Sequence, residues 1–429
     1  MMLTTTIVVL LVLLAISIPV AAVMFILALI LDWQFAAPPL TAALPNQLWN
    51  TSTSFILVAI PLFIMIGEIL LRSGIANKVY ESLDSWLSWM PGGLMHANIG
   101  TATMFSATSG SSVATSATVG TIALPQGVRL GYDDRFFAGS IAAGGTLGIL
   151  IPPSINLIIY GFLAQTSIPQ LFLAGIIPGL GLALIFMLII LVMCWWRPAW
   201  GGTRRSSDMG TRMRNLVHLV PVLILFAFIV GSIYGGWATP TEAAAVGTIA
   251  AIALAWNAGG LSWRMMGAAL EGTMRTTAMI MLILLAANFL NFVLASVGLT
   301  DQLLTYIDSL DLTRLQTLMA IILFYIVLGF FVETLSLMIV TIPIVAPLMV
   351  ELGYDPVWFG ILLIVLIEMA LITPPIGLNL YVVQSVRKRG SLTDVMVGAI
   401  PFVIAMFGMV ILLVLFPQIA LFIPQLASG

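Results

Sequence analysis

The polar residues best placed to do chemistry in this chain stand where its composition is otherwise apolar. FVETLS (331–336) puts Glu333 inside a long stretch with no other charge, and 222 positions earlier SGSSVA (109–114) puts Ser109, Gly110, Ser111 and Ser112 in the middle of an uncharged segment, 93–127. A carboxyl in such surroundings is costly when ionised, so Glu333, like Glu368 further on, must pair with a cation, hold a proton or face water; a neutral, hydrogen-bonded structural carboxyl is the alternative. Two double prolines supply the complementary groups. Proline lacks an amide hydrogen and displaces the carbonyl four residues back, so Pro152 and Pro153 free the oxygens of Gly148 and Ile149, and Pro374 and Pro375 free those of Ala370 and Leu371. Bare carbonyls in mid-membrane suit a hard cation such as sodium, and the N-terminus of the next half-helix can meet a carboxylate. Ser154, Asn156, Thr373 and Asn379 are near enough in sequence to join them. This chemistry is coordination rather than bond-making. With no HExxH or GxSxG motif, an acid/base pair of Glu333 and Glu368 is the one enzymatic alternative, and the expectation is that the chain is not an enzyme.

The elements that must position these groups repeat. Pro125, Val128, Leu130, Gly131, Tyr132, Asp133, Phe137, Pro152 and Pro153 recur, ungapped, as Pro347, Val350, Leu352, Gly353, Tyr354, Asp355, Phe359, Pro374 and Pro375 (353 − 131 = 222). Nine matches in 29 positions stand against about two expected from ordinary residue usage. Each copy reads as a hairpin followed by a broken helix: 93–127 and 136–165 in the first, 313–350 and 355–385 in the second. Split at its Gly/Ser tip, the first hairpin gives two helices of about 15 residues, too short at the helical rise for a ~30 Å hydrocarbon core. It therefore reads as re-entrant, with a polar tip buried in protein or lining a wet cavity. Small residues that merely let helices pack closely are the other reading of the tip, and a plain proline kink that of each break. Paired, proline-interrupted segments in matching halves point to the binding site of a secondary transporter.

Composition sets the medium. Hydrophobic residues are 61% of the chain and charged ones 7%, far from the balance of a soluble domain, so this is an all-α polytopic membrane protein. The first apolar run, 3–31, is too long and lacks the basic flank of a signal peptide; it reads as one retained helix. A single cysteine, Cys194, excludes an intrachain disulfide, and two distant histidines give no zinc spacing. A net charge of −2 without a basic patch excludes nucleic acid as a partner, and no GxxxxGK[ST] loop binds ATP. Arg197, Arg204, Arg205, Arg212 and Arg214 crowd one connection with Ser206 and Ser207, which the positive-inside rule places in the cytoplasm. Counting from it gives nine crossings, a cytoplasmic N-terminus and an external C-terminus, with Arg314 the one basic residue outside. The two copies then face opposite ways: GYDDR (131–135) inside, GYDPV (353–357) outside. The expected divisions are first scaffold helices and a cytoplasmic arm (1–92), a first transport half (93–167), scaffold helices and a second arm (168–312), a second transport half (313–390) and a C-terminal helix (391–429).

SGSSVATSATVG (109–120), GYDDRF (131–136), IPPSINLIIYG (151–161), WATPTEAAAVG (237–247) and ITPPIGLNLY (372–381) together resemble the large membrane subunit (DctM/SiaM-like) of tripartite ATP-independent periplasmic (TRAP) transporters, within the ion transporter superfamily. The likeness covers nearly the whole chain. It implies a sodium symporter of the bacterial inner membrane with inverted repeats and an elevator motion, in which a two-hairpin transport domain moves against a scaffold braced by amphipathic arms near 74–92 and 300–312. It also implies two partners, a small four-helix membrane subunit and a periplasmic substrate-binding protein. Sodium, the coupling ion, is implied at Ser109, Gly110 and Ser112 with Gly148, Ile151 and Ser154, and at Gly329, Glu333 and Thr334 with Ala370, Thr373 and Ile376. Ser111, Ser112, Asn156, Thr334 and Asn379 are the implied contacts to an organic-acid substrate. A one-component sodium- or proton-coupled carboxylate carrier with the same hairpins is the alternative.

Overall fold

Among the described residues the chain forms twenty α-helices. The computed structural model describes residues 2–16, 18–109, 111–203, 208–330 and 332–428; the side chains of Ala15, Ser106 to Ser109, Asp308 and Ser428 lie outside that description. Gly110, Phe331 and the Arg204, Arg205, Ser206 and Ser207 of the orienting loop therefore fall outside the described residues.

The chain opens with α1 (Met2–Ala15), α2 (Val20–Phe35), α3 (Leu44–Ser52) and α4 (Ala59–Arg72), then α5 (Ile75–Leu87). The run 3–31 is thus two helices rather than the single one expected. Pro19 explains the break: it pushes the preceding residue out of helical backbone and cannot itself donate into a continuing helix. The first copy follows as α6 (Gly93–Ser109), α7 (Ser112–Arg129), α8 (Asp134–Gly145) and α9 (Ile155–Leu163), and then α10 (Ile168–Trp196). Next come α11 (Met209–Tyr234), α12 (Pro240–Asn257), α13 (Trp263–Ser296) and α14 (Leu299–Ser309). The second copy is α15 (Arg314–Gly329), α16 (Thr334–Glu351), α17 (Pro356–Ala370) and α18 (Leu378–Arg387), before α19 (Leu392–Leu415) and α20 (Gln418–Ser428).

Both copies have the element order that their shared residues demand. Gly131 and Gly353 take left-handed backbone (φ 71° and 77°) just after α7 and α16, a conformation that costs glycine nothing. Two residues on, Asp133 and Asp355 cap α8 and α17, accepting from the amides of Phe136 (2.8 Å) and of Val357 and Trp358 (2.8 and 3.0 Å). The same 222-residue offset carries α2 onto α12, α4 onto the end of α13, α5 onto α14 and α10 onto α19. Packing is reciprocal under that exchange. α18 packs on α7 and α8 while α9 packs on α16 and α17, and α13 meets α2 as α12 meets α4. Mutual contacts of this kind describe a local two-fold relation between the copies.

Among the described residues, six helices are long and apolar enough to cross a membrane; Ile168–Trp196, Met209–Tyr234, Trp263–Ser296 and Leu392–Leu415 are four, and Phe55–Arg72, which takes in α4, is the fifth. The sixth, Thr334–Glu351, is the returning limb of the second hairpin; at 18 residues it reaches ~27 Å, and α6, α7 and α15 are no longer. The expected crossings 136–165 and 355–385 are each broken into two shorter helices. Leu180, Leu184, Leu188 and Val192 form an exposed stripe along α10, a face only lipid satisfies. Exposed Trp195, Trp196, Trp256 and Trp263 sit at the ends of α10 and α12 and the start of α13, where interfacial indoles belong. Arg314, the basic residue that the charge count left outside, stacks on Tyr354 (3.8 Å) and donates to the Gly353 carbonyl (2.6 Å). Its position is set by these partners, as cation–π and charge-assisted contacts allow.

Candidate functional site

The hairpin tips are the N-termini of α7 and α16, and their caps are the two residues that the 222-residue offset pairs. Ser111 takes extended backbone and its Oγ accepts from the Ala114 amide (3.2 Å). Glu333 does the same work with a carboxylate, accepting from the amide and hydroxyl of Ser336 (3.1 and 3.2 Å). Glu333 is not buried by the rest of the chain, and its capping of α16 offsets the cost of a carboxyl in an apolar hairpin. Beside the caps, Ser112 and Thr334 begin the helices and are buried.

The breaks are built from short turns. After α8, the amides of Thr146, Leu147 and Leu150 each reach back three residues (3.1, 3.2 and 3.3 Å) before Pro152 and Pro153 end the ladder. Ser154 restarts it as the cap of α9, accepting from Leu157 (3.4 Å). In the second copy Leu371, Ile372 and Thr373 make the same three-residue turns, and Gly377 (φ 49°) starts α18 without a side-chain cap. One sequence expectation changes here. The carbonyls of Ala370 and Leu371 are not bare: they accept from the amides of Thr373 (3.3 Å) and Asn379 (3.1 Å), because the tightened turn and the returning chain supply the donors the prolines remove. Each keeps a second lone pair for another partner.

Both tips and both breaks meet around one cavity of about 30 Å³. Ser111 and Ser112 line it from the first tip, Glu333 and Thr334 from the second, Ile149 and Asn156 from the first broken helix and Leu371 from the second. That volume holds one or two waters or a bare cation. Its surroundings carry unsatisfied polar atoms: both amide atoms of Asn156, Oγ1 of Thr334 and Oε1 of Glu368 are buried without a hydrogen-bond partner among the described residues. Buried polar atoms are paired in stable proteins, so these atoms call for a partner such as a water, an ion or a ligand.

Of the residues singled out from sequence, Ser111, Ser112, Asn156, Glu333 and Thr334 share the cavity. Gly329 and Ala370 touch: a Cβ on Gly329 would fall inside 3.0 Å of the Ala370 methyl. Gly148 and Ile151 lie in the first break with Ser154, and Ile376 lies in the second. The Thr373 hydroxyl donates back to Met369 (2.6 Å), and Asn379 lies off the cavity, its amide donating to Ala142 of α8 (3.3 Å). Ser109 has its side chain outside the described residues and Gly110 is outside them altogether. Glu368 was not placed in the site from sequence, yet its Oε2 accepts from Ser112 Oγ at 2.5 Å across the two copies. Its signal was a lone acid in an apolar helix whose counterpart in the first copy, Thr146, is uncharged.

Comparison with known proteins places the chain in a family. Residues 7–419 match the family model of the tripartite ATP-independent periplasmic transporter, DctM component. The chain is 32% identical over 392 residues to the C4-dicarboxylate TRAP transporter large permease protein of Pseudomonas aeruginosa, with 91% of each chain covered. It is 32% identical over 390 residues to the sialic acid TRAP transporter large permease protein of Vibrio cholerae, with 90% of each covered. The crystal structure of the Alcanivorax borkumensis YdaH transporter superposes with a TM-score of 0.67 at 14% identity, covering 96% of this chain and 98% of that one, a likeness of fold. The chain is a multi-pass membrane permease rather than an enzyme, and it belongs to the DctM family of TRAP transporter large subunits.

Proposed function

We propose that this chain is the large permease subunit of a sodium-coupled TRAP transporter that imports an organic acid across the bacterial inner membrane. A small four-helix membrane subunit and a periplasmic substrate-binding protein complete the system, the latter delivering the carboxylate substrate. The observation that carries this reading is the single cavity where both tips and both proline breaks converge, lined by unsatisfied oxygen and amide groups with no basic residue among them. An anion there needs a cation beside it, and carbonyl and hydroxyl oxygens at the breaks are ligands for sodium. The proposed ions lie around Ser112 and Ser154 and around Glu333, Thr334, Ala370 and Thr373. The substrate is placed between Ser111, Ser112, Asn156 and Thr334, with Asn379 ordering the second break.

The two copies are proposed to be inverted in the membrane and to travel as one unit with α10 and α19, which pack on them, in an elevator motion. Helices α1–α4 and α11–α13 form the frame, α20 stays with α10, on which it packs, and the offset-related arms α5 and α14 brace the moving part. A tenfold sodium gradient supplies ~1.4 kcal/mol per ion and 100 mV about 2.3 more, so two ions deliver about 7 kcal/mol before the substrate's own charge is subtracted, enough for concentrative uptake without ATP. The test is reconstitution in liposomes with and without the small subunit, binding protein and a sodium gradient, across a panel of organic acids. Uptake requiring all three supports the proposal. Uptake of free substrate by the chain alone refutes the three-part system, and uptake indifferent to sodium refutes the coupling.

A further inference from the structure

We infer that Glu368 is a positioning residue that ties the tip of the first hairpin to the second broken helix, and so makes cation binding in one half of the protein depend on the other. The inference rests on the sodium reading above and adds a coupling element that neither cation set contains.

Ser112 Oγ donates to Glu368 Oε2 at 2.5 Å between residues 256 apart in sequence, and both side chains are buried (2% and 0% exposed). Ser112 is the first residue of α7, immediately after the cap, so its position reports the arrangement of the first tip. Glu368 lies in the last turn of α17, two residues before Ala370, where the second break begins. One short bond therefore joins a ligand of the first proposed site to the helix end that shapes the second. A hydrogen bond to a buried carboxyl is among the stronger ones available to a protein, because the alternative leaves the carboxyl oxygen unpaired out of water.

The two-fold relation makes the link informative, since symmetry would supply it twice and the protein has it once. The offset of 222 carries Ser112 onto Thr334 and Glu368 onto Thr146. The Thr146 hydroxyl turns back to its own helix, donating to Ala143 (2.7 Å), and the buried Thr334 Oγ1 finds no partner among the described residues. The first tip is held by the opposite half; the second tip is not held back. An ion that orders the first tip fixes Ser112, and through Glu368 it fixes the start of the second break. By linkage, occupancy of the second site must then favour the first by the same factor.

The experiment is a sodium titration of uptake by the complete system in liposomes, comparing wild type with Ser112→Ala, Glu368→Ala, the double variant and the conservative Glu368→Gln. Wild type is expected to titrate cooperatively, with a Hill coefficient near 2. Ser112→Ala and Glu368→Ala should each lower it towards 1 and raise the half-saturating sodium concentration about tenfold, with the double variant no worse than either single. Glu368→Gln keeps a carbonyl oxygen to accept from Ser112 and should retain most of the cooperativity, which a residue needed for its charge does not predict; the non-additive double variant separates the bond from packing alone. Size-exclusion profiles check folding, and if Glu368→Ala fails them, Ser112→Ala against Glu368→Gln carries the comparison. A wild-type Hill coefficient in Ser112→Ala, or additive losses in the double variant, overturns the inference while leaving sodium coupling intact. A wild-type protein indifferent to sodium removes the sodium reading itself, and the coupling with it.

Discussion

Replacing Gly329 by alanine tests whether the second tip and the second break meet as closely as the structure has them. Gly329 ends α15 and Ala370 ends α17. A methyl on Gly329 would lie inside 3.0 Å of the Ala370 Cβ, a separation side-chain carbons do not reach, while the next neighbours, Leu337 Cδ2 and Ala370 Cα, stand at an ordinary 3.8 and 3.9 Å. Only one atom is therefore in the way. Opening the contact is overpacking of a buried interface, which costs about 1–3 kcal/mol. If the cost falls on the arrangement that binds the second ion, half-saturation by sodium should rise by roughly 5- to 100-fold. The double variant Gly329→Ala/Ala370→Gly removes the opposing methyl and leaves contacts no closer than 3.8 Å, so it should recover to within about threefold of wild type. Sodium-titrated uptake in liposomes measures both. Gly329→Ala titrating like wild type, or a double variant as impaired as the single, means that these helix ends do not close on each other in the binding state.

Four further outcomes follow from the same geometry. Arg387, with its side chain 2% exposed, pairs with Asp134 and also reaches Asp394 (3.5 Å), but those carboxylates keep Arg389 and Arg135, so Arg387→Gln should lose about 1–2 kcal/mol through its own hydrogen bonds; Arg389→Gln, 43% exposed, should lose under about 1, and thermal melts in detergent compare them. Gly398→Ala drives a methyl into the Arg135 backbone where α19 crosses α8, and because backbone cannot swing aside as a side chain can, the yield of monodisperse protein should collapse. Ser111→Ala removes the cap of α7 and should cost about 1 kcal/mol, seen as faster proteolysis at the first tip in the absence of sodium. In a background where the buried lone cysteine is removed by Cys194→Ala, Arg389→Cys should react with an impermeant maleimide only from the cytoplasmic side and Asp311→Cys only from the periplasmic side; both reacting from one side contradicts the single crossing expected of the second broken helix.

What the sequence made legible was what local backbone chemistry dictates. Gly131 and Gly353, Asp133 and Asp355, and the two double prolines each answer a conformational demand that no other residue meets as cheaply, so their recurrence announced two equal units before any coordinates. The hairpin tips were legible for the same reason, since Gly, Ser and Thr in an uncharged apolar run have no place in lipid. Pro19 carried an equally local message, a break between α1 and α2, that the apolar character of 3–31 masked. Long-range closeness left no such trace. Nothing near Gly329 or Gly398 in the chain says which backbone or methyl will lie against it, and nothing near Glu368 names Ser112 as its partner.

The fixed offset narrows that gap, because once two copies are known to exchange contacts, each mismatch between them becomes a question with an address. At 111 and 333 serine faces glutamate, and both cap a helix, so the difference changes charge at the cavity without changing the fold. At 154 and 376 a capping serine faces isoleucine, and the second half-helix begins instead at Gly377, whose positive φ (49°) turns the chain where the first copy uses a hydroxyl. At 146 and 368 threonine faces glutamate, and here the difference is a bond between the halves that exists in one direction alone. Residues shared by the copies shape the cradle; residues that differ give its two sides unequal charge and unequal hold. A cradle with identical sides would offer two independent, interchangeable ion sites. This one, with a carboxyl reaching from the second half to the first tip, makes the two proposed sodium sites unequal.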